Sequence, residues 1–443
     1  MMNQETPSSS VSEDAPKNSG GPLVKFRKHY WKILGPGLTT GAADDDPSGI
    51  ATYSQMGAQN GFGLAWLSVF LLPFMATVQE MCARIGLATG AGLAYNIKRH
   101  YSRKVLMFST FLLLFANVFN IGADLGAMAK ATELLAPGAN FVLLIFFFAI
   151  LSLALQVFIP YKKYSKYLKY LSFVLIAYVL SAVSIRMDWP SVLRHLVIPT
   201  ISFSKSEIII IAAAFGTTIS PYLFFWQTDQ EIEEQIERGE TSVKSRKAGN
   251  TPEKIKDMRE DVWSGMAFSN LIMFFIIAAC AATLFPNGIT NINTAAEAAL
   301  ALRPFAGDFA YFLFALGIIG TGLLAIPVLA GSASYAISES MGWKFGLYRK
   351  FKQAASFYGV IILAVALGIA MNFIGLDSIK ALIYSAVLNA VVSPLAIFFI
   401  LRISGNGKIM GQFKNKPIGN IFGWITFFGA AILSALSIYF LIW

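Results

Sequence analysis

The chain has 443 residues, of which 56% are hydrophobic and only 14% charged, with 37 Phe and a net charge of +10. Soluble globular domains carry about a quarter charged residues, so this composition excludes one, and recurrent apolar runs of about 20 residues predict membrane-spanning helices. The basic excess is not a nucleic-acid footprint, because it falls in the loops after every second apolar run: 25–32, 98–104, 162–169, 238–259, 344–352 and 402–416.

This one-sided placement is the positive-inside pattern. It predicts a multi-pass protein of the plasma (inner) membrane with a cytoplasmic N-terminus. Residues 1–24, rich in Ser, Pro and Gly, read as a disordered cytoplasmic tail. Eleven spans are predicted, at 34–57, 62–86, 105–135, 140–160, 166–186, 207–229, 264–285, 307–338, 354–375, 380–402 and 419–442. An odd count puts the C-terminus on the extracellular or periplasmic side and every basic loop in the cytoplasm. Cys82 and Cys280 both lie inside apolar runs and imply no disulfide framework.

The first span contains GPGLTTGAADDDPSGIATYSQMGA and the sixth AAAFGTTISPYLFFWQTDQ. Two Gly/Pro-interrupted spans five apart predict a five-plus-five inverted repeat with broken helices 1 and 6. The first repeat is expected over 25–206 and the second over 207–403, with an extra eleventh span in 404–443. Within the second repeat, the mixed-charge loop 230–262 reads as an amphipathic or solvated cytoplasmic helix and linker. The eighth span is long and rich in Gly (Gly317, Gly320, Gly322, Gly331), which predicts close packing or an irregular stretch. Trp31, Trp189, Trp263 and Trp343 read as interface anchors.

Asp44, Asp45 and Asp46 carry the strongest single signal. A charge at mid-bilayer costs about 2.5–3.5 kcal/mol on insertion scales, and three consecutive acids fan out around a helix at roughly 100° per residue. At least one must therefore face water or protein. Pro47 has no N–H for the Ala43 carbonyl, and Pro221 none for the Thr217 carbonyl. Carboxylates and bare carbonyls together form a hard-oxygen site, suited to Mg²⁺, Mn²⁺ or Ca²⁺ rather than Cu⁺ or Zn²⁺. Other polar residues within spans are Asn389, as a water-mediated ligand or interhelical bond; Asn117, Asn120 and Asp124, as a polar stripe on span 3; and Gln227 and Asp229, at the end of span 6. Glu80 and Arg84, four apart on span 2, predict an ion pair. No HExxH, GxSxG or phosphate loop points to an enzyme.

The first-span segment resembles that of the Nramp family of divalent-metal transporters, whose signature there is GPG, eight residues, then DPGN. QEMCARIGLATGAGLA (79–94), NIGADLGAMAKA (120–131) and FGTTISPYLF (215–224) are similar to its second, third and sixth spans. The resemblance implies an all-α integral membrane protein of 11 transmembrane helices with the leucine-transporter-like (APC) fold. It also implies alternating-access transport of a divalent metal ion as substrate, with no separate cofactor, by a monomer. Matched residue by residue, Asp46 takes the place of the family's ligand Asp and Thr217 supplies the sixth-span carbonyl. Gly49 replaces the ligand Asn, Ser220 the ligand Met, Tyr222 a His, and Ala127 a Glu of the proton route, while Asp124 keeps a neighbouring acid.

The soft sulfur is thus absent, and His29, His100 and His195 all lie in loops. These departures resemble the Nramp-related magnesium transporter branch, which carries Mg²⁺ and Mn²⁺ without proton coupling. The expected metal-site residues are Asp46, Thr217, Gly49, Ser220, Asp45, Asp44, Ala43, Tyr222 and Asn389, holding a partly hydrated ion. A proton-coupled Mn²⁺ or Fe²⁺ transporter, and an amino-acid or amine carrier on the same fold, remain as alternatives.

Overall fold

A computed structural model describes Trp31 and residues 33–292, 295–374 and 378–442. The chain divides into Met1–Ile33 and Leu34–Trp443. The expected tail at 1–24 lies outside the described residues, and the helix bundle belongs to the second unit.

The described residues are built of helices and short turns. In chain order the helices are α1 (Pro36–Asp44), α2 (Pro47–Asn60), α3 (Leu67–Thr89), α4 (Leu93–His100), α5 (Arg103–Leu135), α6 (Phe141–Phe158), α7 (Tyr161–Leu171), α8 (Ile176–Val183), α9 (Trp189–Val197) and α10 (Lys205–Thr218). The second half contains α11 (Pro221–Glu237), α12 (Val243–Ala248), α13 (Pro252–Thr283), α14 (Ala295–Met341), α15 (Ala355–Met371), α16 (Ser378–Ser404), α17 (Gly407–Met410) and α18 (Pro417–Ile442).

Among these residues, nine helical stretches are long and apolar enough to cross a membrane, α10 with α11 and α7 with α8 each counting as one. The broken α1–α2 pair and the shorter α15 bring the crossings to eleven. Local signals explain the starts. Pro occupies the first turn of α1, α2, α11 and α13, where its missing N–H costs nothing. The side chains of Ser102, Asn140, Ser204 and Thr251 each accept a backbone N–H at the next helix start. Outward faces carry apolar side chains such as Phe111 (65% exposed) and Ile150 (62%), as a lipid-facing surface requires.

The Gly pattern of the first span has a packing cause. A Cβ on Gly41 would lie 2.3 Å from the Gly265 carbonyl oxygen, and one on Gly265 would lie 2.1 Å from the Gly37 carbonyl oxygen. The backbones of α1 and α13 therefore touch directly, which only small residues allow. α14 is bent at Gly307 (φ 82°), and its later glycines admit the side chains of neighbouring helices: Gly317 meets Tyr178, Gly320 Val174 and Gly322 Met128. Of the two expectations for the Gly-rich run, close packing is the one present; the bend lies before it, at Gly307.

The loops sort onto two ends. At one, Arg246 Nε donates to the Gly90 carbonyl at 2.9 Å, Arg259 binds Glu80 at 2.9 Å, and Arg84 donates to Asn415 at 2.5 Å. At the other, Gln55 bonds the backbone at Thr290 and Ile292, and Thr200 bonds Gly63. Among the described residues the basic loops thus gather at one end, as alternation predicts. The Glu80–Arg84 pair forms at 3.3 Å, and the Trp263 indole N–H also donates to Glu80, at 2.9 Å. The segment 230–262 has the two faces of an amphipathic stretch: Glu237, Arg238, Lys244, Lys247, Glu253 and Lys256 are exposed. α11 runs on to Glu237, α13 begins at Pro252, and Glu231, Glu233, Gln235, Arg246 and Asp261 are buried. The buried side chains make polar contacts between helices, and the exposed charges face away from the bundle.

Candidate cation site at the two helix breaks

The first break leaves Asp45 and Asp46 between α1 and α2, and the second leaves Ile219 and Ser220 between α10 and α11. Both prolines stand at the first turn of the second half-helix. Each break therefore presents the carbonyl end of one half-helix and the N–H end of the next. The two meet at Gly49, where a Cβ would lie 3.1 Å from both the Asp44 carbonyl oxygen and Thr217 Oγ1. Tyr53 and Thr218 join the breaks again, with their hydroxyls 3.1 Å apart.

Asp46 is the N-cap of α2. Its Oδ1 accepts from the Gly49 N–H at 2.8 Å and the Ser48 hydroxyl at 2.6 Å. Its Oδ2 accepts from Asn120 Nδ2 of α5 at 2.6 Å and lies 3.4 Å from the Tyr222 hydroxyl. The single Tyr222 proton goes to the nearer acceptor, the Ala43 carbonyl at 2.9 Å. Three donors from two helices therefore fix one carboxylate at the junction, with the Tyr222 hydroxyl of a third helix beside it.

The other acids part from it, as a fan of 100° per residue requires. Asp44 Oδ2 accepts from Ser269 on α13 at 2.8 Å, so its side chain turns toward span 7 while its carbonyl faces Gly49. Asp45 is fully buried with neither carboxylate oxygen hydrogen-bonded. Asp124, on α5 four residues beyond Asn120, is likewise buried, has no side-chain partner and lies within electrostatic reach of Asp46. Unpaired buried polar atoms are rare in folded proteins. Around these breaks they also include Thr217 Oγ1, Asn120 Oδ1, and both amide atoms of Asn389.

The freed carbonyls are not bare. Ala43 accepts from Tyr222, and the Ser220 hydroxyl shares its one proton between the Gly216 carbonyl at 2.5 Å and the Thr217 carbonyl at 2.8 Å. A carbonyl has two lone pairs, so one on each remains open to a cation. Asn389 sits on the part of α16 packed against the second break: Ser393 donates to the Ile219 carbonyl at 2.6 Å and to the Asn389 carbonyl at 2.7 Å.

Some residues of this junction were not singled out in the sequence as ligands or partners of Asp46. Asn120 showed only as part of a polar stripe, and Ser48 only as a letter of DPSG. Ser269 carries a signal in retrospect, as one of two adjacent polar residues inside the apolar span 7. Asn117, in contrast, donates to the Leu329 carbonyl and Ser332 hydroxyl, both at 2.8 Å, and braces α5 on α14. Gln227 donates to Glu231 at 3.0 Å. Among the described residues no three His, Cys, Asp or Glu side chains form a metal cage. The breaks instead offer Asp46 beside carbonyl and hydroxyl oxygens.

Comparison with known proteins identifies the family and the fold. The model of the family described as Nramp, Natural resistance-associated macrophage protein-like, matches residues 37–442. A Klebsiella pneumoniae subsp. pneumoniae protein named divalent metal cation transporter MntH is 25% identical over 403 residues, 90% of this chain and 91% of its own. The crystal structure of an Eremococcus coleocola manganese transporter superposes with a TM-score of 0.70 at 20% identity, covering 97% of this chain and 90% of that one. The inward-facing structure of Mhp1 superposes more loosely, at 0.53 and 14% identity, over 92% of this chain and 91% of its own. The chain belongs to the Nramp family and is a multi-pass membrane transporter with the inverted-repeat fold, not an enzyme.

Proposed function

We propose that this chain carries Mg²⁺, and Mn²⁺ with it, into the cytoplasm by alternating access, as a partly hydrated ion bound at the two breaks. Its relatives named as divalent metal cation and manganese transporters support the cargo class. The observation that carries the finer reading is the chemistry of the junction. Asp46 is held by Ser48, Gly49 and Asn120 against the carbonyl ends of α1 and α10, and Gly49, Thr217, Ser220 and Tyr222 add no nitrogen or sulfur side-chain donor. Oxygen-only lining favours hard cations, and Mg²⁺ keeps several waters when bound. The ligand set proposed is Asp46 with the carbonyls of Ala43 and Thr217, the hydroxyls of Ser220 and Tyr222, the Asp44 carbonyl beside Gly49, and Asn389 through water, with Asp45 adding charge.

The basic-loop end faces the cytoplasm of the plasma membrane in this reading. The repeats run over 25–206 and 207–403, with 404–443 outside them. Inward transport is driven by the gradient and the membrane potential, about 2.3 kcal/mol per charge per 100 mV. Reconstitution of the full chain in proteoliposomes tests it: Mg²⁺ uptake competed by Mn²⁺ is expected, with loss in Asp46→Ala. Full Mg²⁺ uptake by Asp46→Ala would overturn the site.

A proton-coupled reading rests on one observation, the Asp124 carboxylate beside Asp46 with no side-chain partner. Internal acidification that tracks metal entry and disappears in Asp124→Asn would favour it. Its absence favours uncoupled transport.

A further inference from the structure

A cavity of about 270 Å³ opens at the basic-loop end, away from the breaks. Three buried carboxylates line it: Asp229 and Glu233 from α11, and Glu339 from the end of α14. Glu233 is satisfied by the Tyr335 hydroxyl at 2.6 Å and the N–H groups of Leu347 and Tyr348 at 2.7 and 3.1 Å. Glu339 accepts the N–H groups of Gly92 and Tyr95, each at 3.0 Å. Asp229 differs: it is 1% exposed, and neither of its oxygens has a hydrogen-bond partner. A Cβ on Gly92 would lie 2.5 Å from Asp229 Oδ1 and 2.2 Å from Glu339 Oε1. The two carboxylates therefore face each other over a stretch of backbone that only glycine leaves open.

The basic side chains nearby, though Arg246 and Lys98 lie within electrostatic reach of Glu339, direct their hydrogen bonds to backbone carbonyls rather than to Asp229. Arg246 donates to the carbonyls of Gly90 and Thr241 at 2.9 and 3.0 Å, Arg349 to Phe345 at 3.1 Å, and Lys98 to the Glu339 carbonyl at 3.5 Å. A buried carboxylate with no partner, facing another, is expensive. A mobile cation removes that cost. We propose that Asp229 and Glu339 form a second divalent-cation site, nine residues along α11 from Ser220 and so about 13 Å from the break. Among the described residues no three acid side chains converge as a metal cage, so the ion keeps much of its water, for which the cavity has room. Mg²⁺, reluctant to dehydrate, suits such a site.

The proposal rests on the reading of the cargo as a divalent cation, and the experiment separates the two. Mn²⁺ binding to the purified full chain in detergent is measured by equilibrium dialysis and electron paramagnetic resonance, with Mg²⁺ as competitor. Two Mn²⁺ per chain are expected, falling to one in Asp46→Ala and to one in the Asp229→Asn/Glu339→Gln double variant. One Mn²⁺ in the unaltered chain that Asp46→Ala abolishes overturns the second site and leaves the transport site standing. Two in Asp46→Ala overturns the transport site instead. Anomalous scattering from Mn²⁺ in crystals of the unaltered protein needs no variant. A peak between Asp229 and Glu339 is expected, and a peak at the breaks alone overturns the proposal.

Discussion

The Tyr222 hydroxyl donates to the Ala43 carbonyl oxygen at 2.9 Å, so a residue of the second broken span closes the orphan end of the first. The hydroxyl stands in for the N–H that Pro47 lacks. Tyr222→Phe removes it and leaves a buried carbonyl unmet, a cost of about 1–3 kcal/mol. The thermal midpoint of the variant is expected to fall in metal-free buffer and to recover in saturating Mn²⁺, because an ion that binds the folded state takes the vacated lone pair. Thermal denaturation of both proteins with and without Mn²⁺ reads this. An equal loss under both conditions would show that the carbonyl does not face the ion.

Asn120 positions Asp46 from a third helix, through a 2.6 Å bond to Oδ2. A hydrogen bond to a charged group contributes about 1.5–3 kcal/mol. Asn120→Ala is therefore expected to weaken Mg²⁺ uptake roughly 10- to 100-fold in KM. Asn120→Asp, which sets a like charge against Asp46, is expected to be worse still. Uptake kinetics in proteoliposomes compare the two, and an aspartate variant as active as the wild type would remove Asn120 from the site.

Asp261 tethers the start of the first broken span, accepting the N–H groups of Gly35, Gly37 and Leu38 at 2.8, 2.7 and 3.1 Å. This is N-capping supplied from another helix, with the charge favourably placed on the dipole. Asp261→Asn is expected to cost about 0.5–2 kcal/mol and to free α1 at the basic-loop end. A cysteine placed at Thr40, buried with its hydroxyl unpartnered, should then react with maleimide from that side roughly 3- to 30-fold faster. An unchanged rate would mean that the tether does not govern opening.

Pro47 and Pro221 made both breaks legible in the chain, and the DDD run marked the acid. The phase of that run was not legible. Turning 100° per residue says that the three acids part, but which one faces the junction depends on where α1 rests, and the contact of Gly37 and Gly41 with Gly265 sets that. The proline argument also changes in detail. Both prolines begin a half-helix instead of interrupting one, and hydroxyls from Tyr222 and Ser220 take the freed carbonyls. No local pattern announces a partner 179 residues away. The burial of Glu233 in the charged stretch after the sixth span was hidden for the same reason, since the groups that bury it are Tyr335, Leu347 and Tyr348, far along the chain.

Gly49 and Ser220 put the proposed selectivity to its sharpest test, because each replaces a metal ligand of the resembling family. A Cβ at 49 would lie 3.1 Å from the Asp44 carbonyl and from Thr217 Oγ1, so Gly49→Asn crowds the junction and displaces water from the bound ion. Ser220→Met removes the hydroxyl now bonded to the Thr217 carbonyl at 2.8 Å and introduces a thioether. Sulfur favours softer transition ions over Mg²⁺, and a narrower site penalises an ion that dehydrates reluctantly. The Gly49→Asn/Ser220→Met double variant is expected to lose most Mg²⁺ uptake while retaining Mn²⁺ and gaining Cd²⁺, a shift in relative KM of roughly tenfold or more for about 1.4 kcal/mol of difference. Competition uptake in proteoliposomes measures that ratio. If the double variant keeps the wild-type ratio of Mg²⁺ to Mn²⁺ uptake, the side chains at 49 and 220 do not set which ion is carried.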